Sequence, residues 1–121
     1  MKLLLDTHVV LWWLDDPRLI NDEARNAIED PVNDIFVSAV VAWEVAIKSN
    51  LGKLTIPPEF EKAIHDAGFV ELPISLKHAW RVARLAGHHQ DPFDRMLVAQ
   101  AIEESATIVS RDFKIPLYGI P

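Results

Sequence analysis

Short uninterrupted apolar runs alternate along the chain with longer stretches in which apolar residues recur every three or four positions, and the two patterns separate strands from helices. Leu3, Leu4 and Leu5 stop at Asp6-Thr7, a helix-capping pair, so residues 2–5 read as a buried parallel strand running into a helix over 8–14. Asp15-Asp16-Pro17 ends that helix. Asn21-Asp22-Glu23 starts a second helix through Glu29, its acids lying in the first turn where the helix dipole favours them, and Pro31 closes it. Residues 35–37 form a second strand, and Ser38 caps a helix over 39–50, after which Gly52 suits a left-handed stop. Pro57-Pro58 leads to a helix near 59–67 with Gly68 at its end. Residues 69–74 are a third strand. Ser75 caps a helix to about 86, Gly87 ends it, and Asp91-Pro92 opens another through 105. Residues 107–110 are the fourth strand, and 116–118 are expected to add a fifth at an edge.

This alternation, without repeats or low-complexity linkers, predicts an α/β fold: a three-layer sandwich with a mostly parallel central sheet of four to five strands. At 121 residues the whole chain, 1–121, is expected to be one domain. Ligands of such folds bind outside the carboxyl ends of the strands, and Asp6, Ser38, Ser75 and Ser110 all follow strands directly. Asp6 and Asp112 therefore belong at one edge of the molecule.

Composition narrows the function. Half the residues are hydrophobic and a quarter are charged, which is the mixture of a folded globule. The absence of cysteine excludes disulfides, thiolate zinc sites and cysteine nucleophiles, so any metal must be held by oxygen or imidazole. No apolar run reaches the roughly 18 residues that span a bilayer, and Asp6 interrupts the first one too early for a signal-peptide core, so a cytoplasmic protein without membrane partners is expected. The net charge of -6 taken alone argues against nucleic-acid binding. Its distribution softens the objection: residues 15–34 hold seven acids against Arg18 and Arg25, whereas residues 77–95 hold Lys77, Arg81, Arg84 and Arg95 against Asp91 and Asp94. Solvated helix faces would give the same pattern.

Four carboxylates fall where separate segments should end beside one another: Asp6, Glu44, Asp94 and Asp112. Gathered in one pocket they repel, and either protons or a divalent cation must neutralise them. Asp6 equally fits a plain helix cap. Glu44 is the one charged residue between Ala39 and Ile47 and is surrounded by Val40, Val41, Trp43, Val45 and Ile47, which points to burial with a partner; the alternative is an exposed Glu44 paired with Lys48 one turn on. Asp94 stands at the third position of a helix that Asp91 caps, and Asp91 competes with it as the functional acid. Trp12 and Trp13 are adjacent on one helix and are not expected to face one core together, so one of them calls for a partner. His88-His89 reads as a surface pair.

These segments, in order and over nearly the whole chain, resemble the PIN-domain ribonucleases, and within them the VapC-type toxins of bacterial toxin-antitoxin pairs. Leu3-Leu4-Leu5-Asp6-Thr7 resembles the opening strand with its first acid. Ser38-Ala39-Val40-Val41-Ala42-Trp43-Glu44 resembles the helix-borne glutamate with its preceding serine. The run from Asp91 to Ala101 is similar to the family's aspartate-plus-alanine helix and places the family acid on Asp94; Ser110-Arg111-Asp112 resembles the closing Thr-x-Asp. The chain departs from the pattern at His8, where a small polar residue is frequent. The resemblance implies a PIN-like fold, Mg²⁺ or Mn²⁺ as cofactor and hydrolysis of RNA phosphodiester bonds. It implies Asp6 and Asp94 as principal ligands, with Glu44 and Asp112 binding directly or through water. Thr7, Ser38 and Ser110 would hold waters around them, and Arg95 or Arg111 would meet phosphates. It further implies a cognate antitoxin whose apolar segment fills a groove between helices, and a homodimer. Two other readings share the acids. A receiver-type phosphorelay domain would want paired acids after the first strand and a lysine near the last, whereas here the first strand gives one acid and the last leads into Ser110-Arg111; a catalytically silent binding module would keep the fold without the chemistry.

Overall fold

The structure, a computed structural model, describes residues 1–85, 91–111 and 113. Four strands, β1 (Lys2–Leu5), β2 (Asp34–Ser38), β3 (Val70–Leu72) and β4 (Thr107–Val109), form one parallel sheet in the order β3-β2-β1-β4. The helices between them are α1 (Thr7–Asp15), α2 (Asp22–Glu29), α3 (Ala39–Asn50), α4 (Phe60–Asp66), α5 (Leu76–Val82) and α6 (Pro92–Glu104), with a 3₁₀ turn at Pro17–Leu19. The fifth strand expected at 116–118 lies outside the described residues.

The leucines of β1 show why the sheet needs cover on both sides. Side chains alternate along a strand, so Leu3 and Leu5 enter one apolar cluster with Val9, Val10, Ala24, Ile28 and Ile64, and Leu4 enters another with Val40, Leu97 and Ala101. All three leucines are fully buried, each stabilising the fold by about 1.5–3 kcal/mol. The first cluster rests on α1, α2 and α4, the second on α6 and the strand residues Phe36, Leu72 and Ile108, which together give the expected three layers. Helix α3 feeds both, Val41 and Val45 into the first and Val40 into the second, and so stands across the carboxyl edge of the sheet.

Three details differ from the sequence expectation, each for a local reason. β3 stops at Leu72 because Pro73 has no N–H to continue the ladder. α5 ends at Val82 rather than near 86: Ala83, Arg84 and Leu85 bond back three residues, to Trp80, Arg81 and Val82, which tightens the chain out of the α-helix. Trp12 and Trp13 both pack against the first cluster, because their large rings reach around the flanks of α1; Trp13 meets the ring of Phe69 at 5.7 Å. Both rings nevertheless stay partly exposed.

Behind the sheet's carboxyl edge, a chain of buried polar groups ties β2 to α5 and α6. Ser38 Oγ lies 2.5 Å from Gln100 Oε1 and accepts from the Val40 N–H; Gln100 Nε2 donates to Pro73 O and meets His78 Nδ1 at 3.4 Å. His78 is 2% exposed: Nδ1 accepts from the Ser75 N–H, and Nε2 meets Glu104 at 2.8 Å.

Candidate active site

The strand order reverses beside β1, with β2 and β3 on one side and β4 on the other, and open parallel sheets bind ligands at such a switch point. A cleft of about 350 Å³ opens there, lined by Asp6, Thr7, His8, Glu44, Lys48, Asp91, Asp94, Ser110 and Arg111. Adjacent pairing explains the convergence: the Asp6 N–H donates to Val109 O at 3.0 Å, so the ends of β1 and β4 deliver Asp6 and Ser110 side by side.

Asp6 serves two purposes at once. It is the N-cap of α1, with Oδ1 accepting from the Val9 N–H at 2.9 Å, and it faces the cleft. Burial pushes its carboxyl above the ordinary value of 3.8; the Val9 N–H and His8 pull it down, while Asp94 and Glu44 add like charge.

Glu44 is 6% exposed, on the same face of α3 as Val40, Val41 and Val45. The Thr7 hydroxyl donates to Oε1 and the Lys48 ammonium to Oε2, both at 2.5 Å. The pairing with Lys48 expected only of an exposed glutamate thus coexists with burial, because the long lysine stem carries its ammonium back over the cleft. Glu44 raises the Lys48 pKa first by its hydrogen bond and also by its charge, with Asp91 and Asp94 contributing.

Asp91 and Asp94 divide their tasks. Asp91 Oδ1 accepts from the N–H groups of Phe93 and Asp94, at 2.8 and 3.1 Å, and so caps α6; Asp94 follows in the first turn, exposed towards the cleft. Ser110 and Arg111 complete the rim, and the Arg111 guanidinium lies 5.9 Å from the Trp12 ring centre. Asp112 lies outside the described residues.

Two residues singled out in the sequence stand elsewhere. Ser38 lines a different hollow with Ala42, Ile64 and Glu71, and its hydroxyl is engaged by Val40 and Gln100. Arg95 sends its guanidinium to Val82 O at 2.9 Å, across to the end of α5. Conversely, His8 and Lys48 line the cleft although the sequence assigned them no task there. The signal for Lys48 was its spacing four residues after Glu44.

The donor set is hard oxygen, the kind that suits Mg²⁺ or Mn²⁺, and Asp6, Glu44, Asp91 and Asp94 outnumber the cleft's Lys48 and Arg111. Among the described residues no three acids or histidines are drawn together at coordinating distance. Glu44 is held by Thr7 and Lys48, and one oxygen each of Asp6 and Asp91 is engaged by a helix cap. The ammonium of Lys48 is a stand-in cation among these carboxylates, so the residues fit a positive ion.

The family profile described as PIN domain matches residues 3–119. The chain belongs to the PIN domain family. This PIN domain is 29% identical over 123 residues to Ribonuclease VapC22 of Mycobacterium tuberculosis, a match covering 98% of this chain and 93% of that protein. A shorter stretch of 46 residues, 36% of this chain and 32% of the relative, is 50% identical to Ribonuclease VapC16 of the same organism. Its fold matches a chain in the crystal structure of VapBC2 from Rickettsia felis bound to a DNA fragment from their promoter, with a TM-score of 0.63 at 17% identity, covering 89% of this chain and 86% of the other. No helix among the described residues is long and apolar enough to cross a membrane.

Proposed function

We propose that this PIN domain is a VapC-type toxin: a Mg²⁺- or Mn²⁺-dependent endoribonuclease that hydrolyses RNA phosphodiester bonds and is restrained by a cognate antitoxin. The observation that carries the reading is the shared cleft of Asp6, Glu44 and Asp94, brought together from the N-cap of α1, from α3 and from α6 at the sheet's switch point in a chain of this family. The likeness to Ribonuclease VapC22 over almost its full length supports the same activity.

In this reading Asp6 and Asp94 are the principal ligands, joined by Glu44 and Asp112 directly or through water. The cation would supply Lewis acidity, lowering the pKa of an attacking water and offsetting charge on the phosphate and leaving oxygen. Thr7 fixes the Glu44 carboxylate by donating to Oε1, Asp91 fixes the first turn that carries Asp94, and Ser110 can hold a water at the rim. Arg111, exposed at the cleft's edge, is placed to meet an RNA phosphate; its stacking on Trp12 holds the guanidinium without neutralising it. Ser38 and Arg95 support the site from the fold, through Gln100 and through Val82.

The acidic net charge ceases to be an objection, since a bound cation turns the cleft from a repeller of phosphate into a binder. The antitoxin has a fitting surface in the apolar groove lined by Leu11, Trp12, Leu14, Ile56 and Pro57, which adjoins the cleft through Trp12. A homodimer completes the reading. Incubating purified protein with RNA in excess Mg²⁺ or Mn²⁺ tests it: cleavage abolished by EDTA and restored by added metal is expected, and metal binding without cleavage would instead favour the silent binding module.

A further inference from the structure

Both oxygens of Glu44 are engaged before any ion arrives. Oε1 belongs to Thr7, whose side chain is short, β-branched and buried in the first turn of α1. Oε2 belongs to Lys48, whose side chain is long and about one-third exposed. Of the two donors, the ammonium carries the positive charge that a metal would replace, and it alone has a stem that can carry it out to water. Nor can Glu44 itself swing away, because it stands on the buried face of α3 between Val40, Val41 and Val45. Without the ammonium, a buried carboxylate facing Asp6, Asp91 and Asp94 would be left uncompensated.

We propose that Lys48 is the resident counter-cation of the cleft: its ammonium neutralises Glu44 in the metal-free protein, and a divalent ion binds by displacing it. The exchange swaps one cation for another, so the Glu44 carboxylate has a positive partner in both states. The displaced ammonium remains tethered at the rim, facing the cleft that RNA enters. This inference rests on the metal-site reading above and adds to it a competition internal to the chain.

Calorimetric titration of Mn²⁺ into metal-stripped full-length protein, without RNA, tests the exchange. Lys48→Met keeps the apolar stem and removes the competitor, and is expected to bind Mn²⁺ about tenfold or more tightly than the wild type. Lys48→Gln, which retains a donor for Glu44 but no charge, shifts affinity in the same direction and answers the question should Lys48→Met lose its fold. In a Glu44→Gln background the gain from removing Lys48 disappears. Equal affinities of wild type and both Lys48 variants, or a gain undiminished by Glu44→Gln, would overturn the displacement while leaving the metal site standing. A wild-type protein that binds no Mn²⁺ overturns both.

Discussion

The Thr7 hydroxyl donates to Glu44 Oε1 at 2.5 Å, joining the start of α1 to the middle of α3 inside the protein. This contact decides how an acid can be 6% exposed and still face the cleft. Thr7→Val preserves shape but strands the carboxylate oxygen, and is expected to destabilise the fold by about 1–3 kcal/mol, read from urea unfolding. Thr7→Ser should restore most of the loss. An unchanged midpoint in Thr7→Val would show that the hydroxyl contributes nothing.

Asp6 predicts a stability cost at the site. Its folded pKa lies above the ordinary 3.8, chiefly through burial, so the folded state holds this proton more tightly than the unfolded chain does. Its favourable contribution is therefore present below pH 3.8 and is lost as pH rises through the raised folded value. Asp6→Asn, which retains a capping oxygen for Val9, is expected to raise the melting temperature at pH 7, with the gain shrinking towards pH 3.8. Thermal melts of both proteins across that range check the sign.

His78 anchors α5 to α6 through both ring nitrogens. Because Nδ1 accepts from the Ser75 N–H, the proton sits on Nε2 and is donated to Glu104. That bond first, and Lys77 second, holds the Glu104 carboxyl below 4.5, so the pair stabilises the fold above that pH and the contribution falls away as Glu104 protonates at lower pH. His78→Ala should cost about 2–4 kcal/mol at neutral pH, from the cavity, the orphaned Ser75 N–H and the lost bond to Glu104, and should flatten the acid limb of the stability curve. Denaturant melts at neutral and acidic pH measure both effects.

Thr107 Oγ1 is buried and has no hydrogen-bond partner among the described residues. Replacing it by an isosteric methyl removes an unsatisfied group, so Thr107→Val is expected to leave stability unchanged or raise it by up to about 1 kcal/mol, again read from urea unfolding.

The sheet and its helices were legible because their signals are local. Three consecutive leucines ending at Asp6-Thr7, Ser38 opening α3 and Asp91-Pro92 opening α6 are strand and cap chemistry written in adjacent residues. The grouping of Asp6, Glu44 and Asp94 was legible only as a set, since each acid alone has an ordinary explanation. What escaped was long-range. Nothing beside His78 in the sequence announces Gln100 and Glu104, 22 and 26 residues away, and the basic composition around it suggested a surface. Ser38 follows a strand as the cleft residues do, but β2 lies on the far side of β1 from β4, so its hydroxyl meets α6 rather than the cleft.

The central claim is that the carboxylates of this cleft carry a metal-dependent ribonuclease. Single-turnover cleavage of RNA in excess Mn²⁺ by wild type, Asp6→Asn and Asp94→Asn, each checked by circular dichroism, tests it most directly. The account predicts cleavage by the wild type, loss of at least about a hundredfold in either variant, and native spectra for all three. Folded variants that cut RNA at the wild-type rate would contradict it.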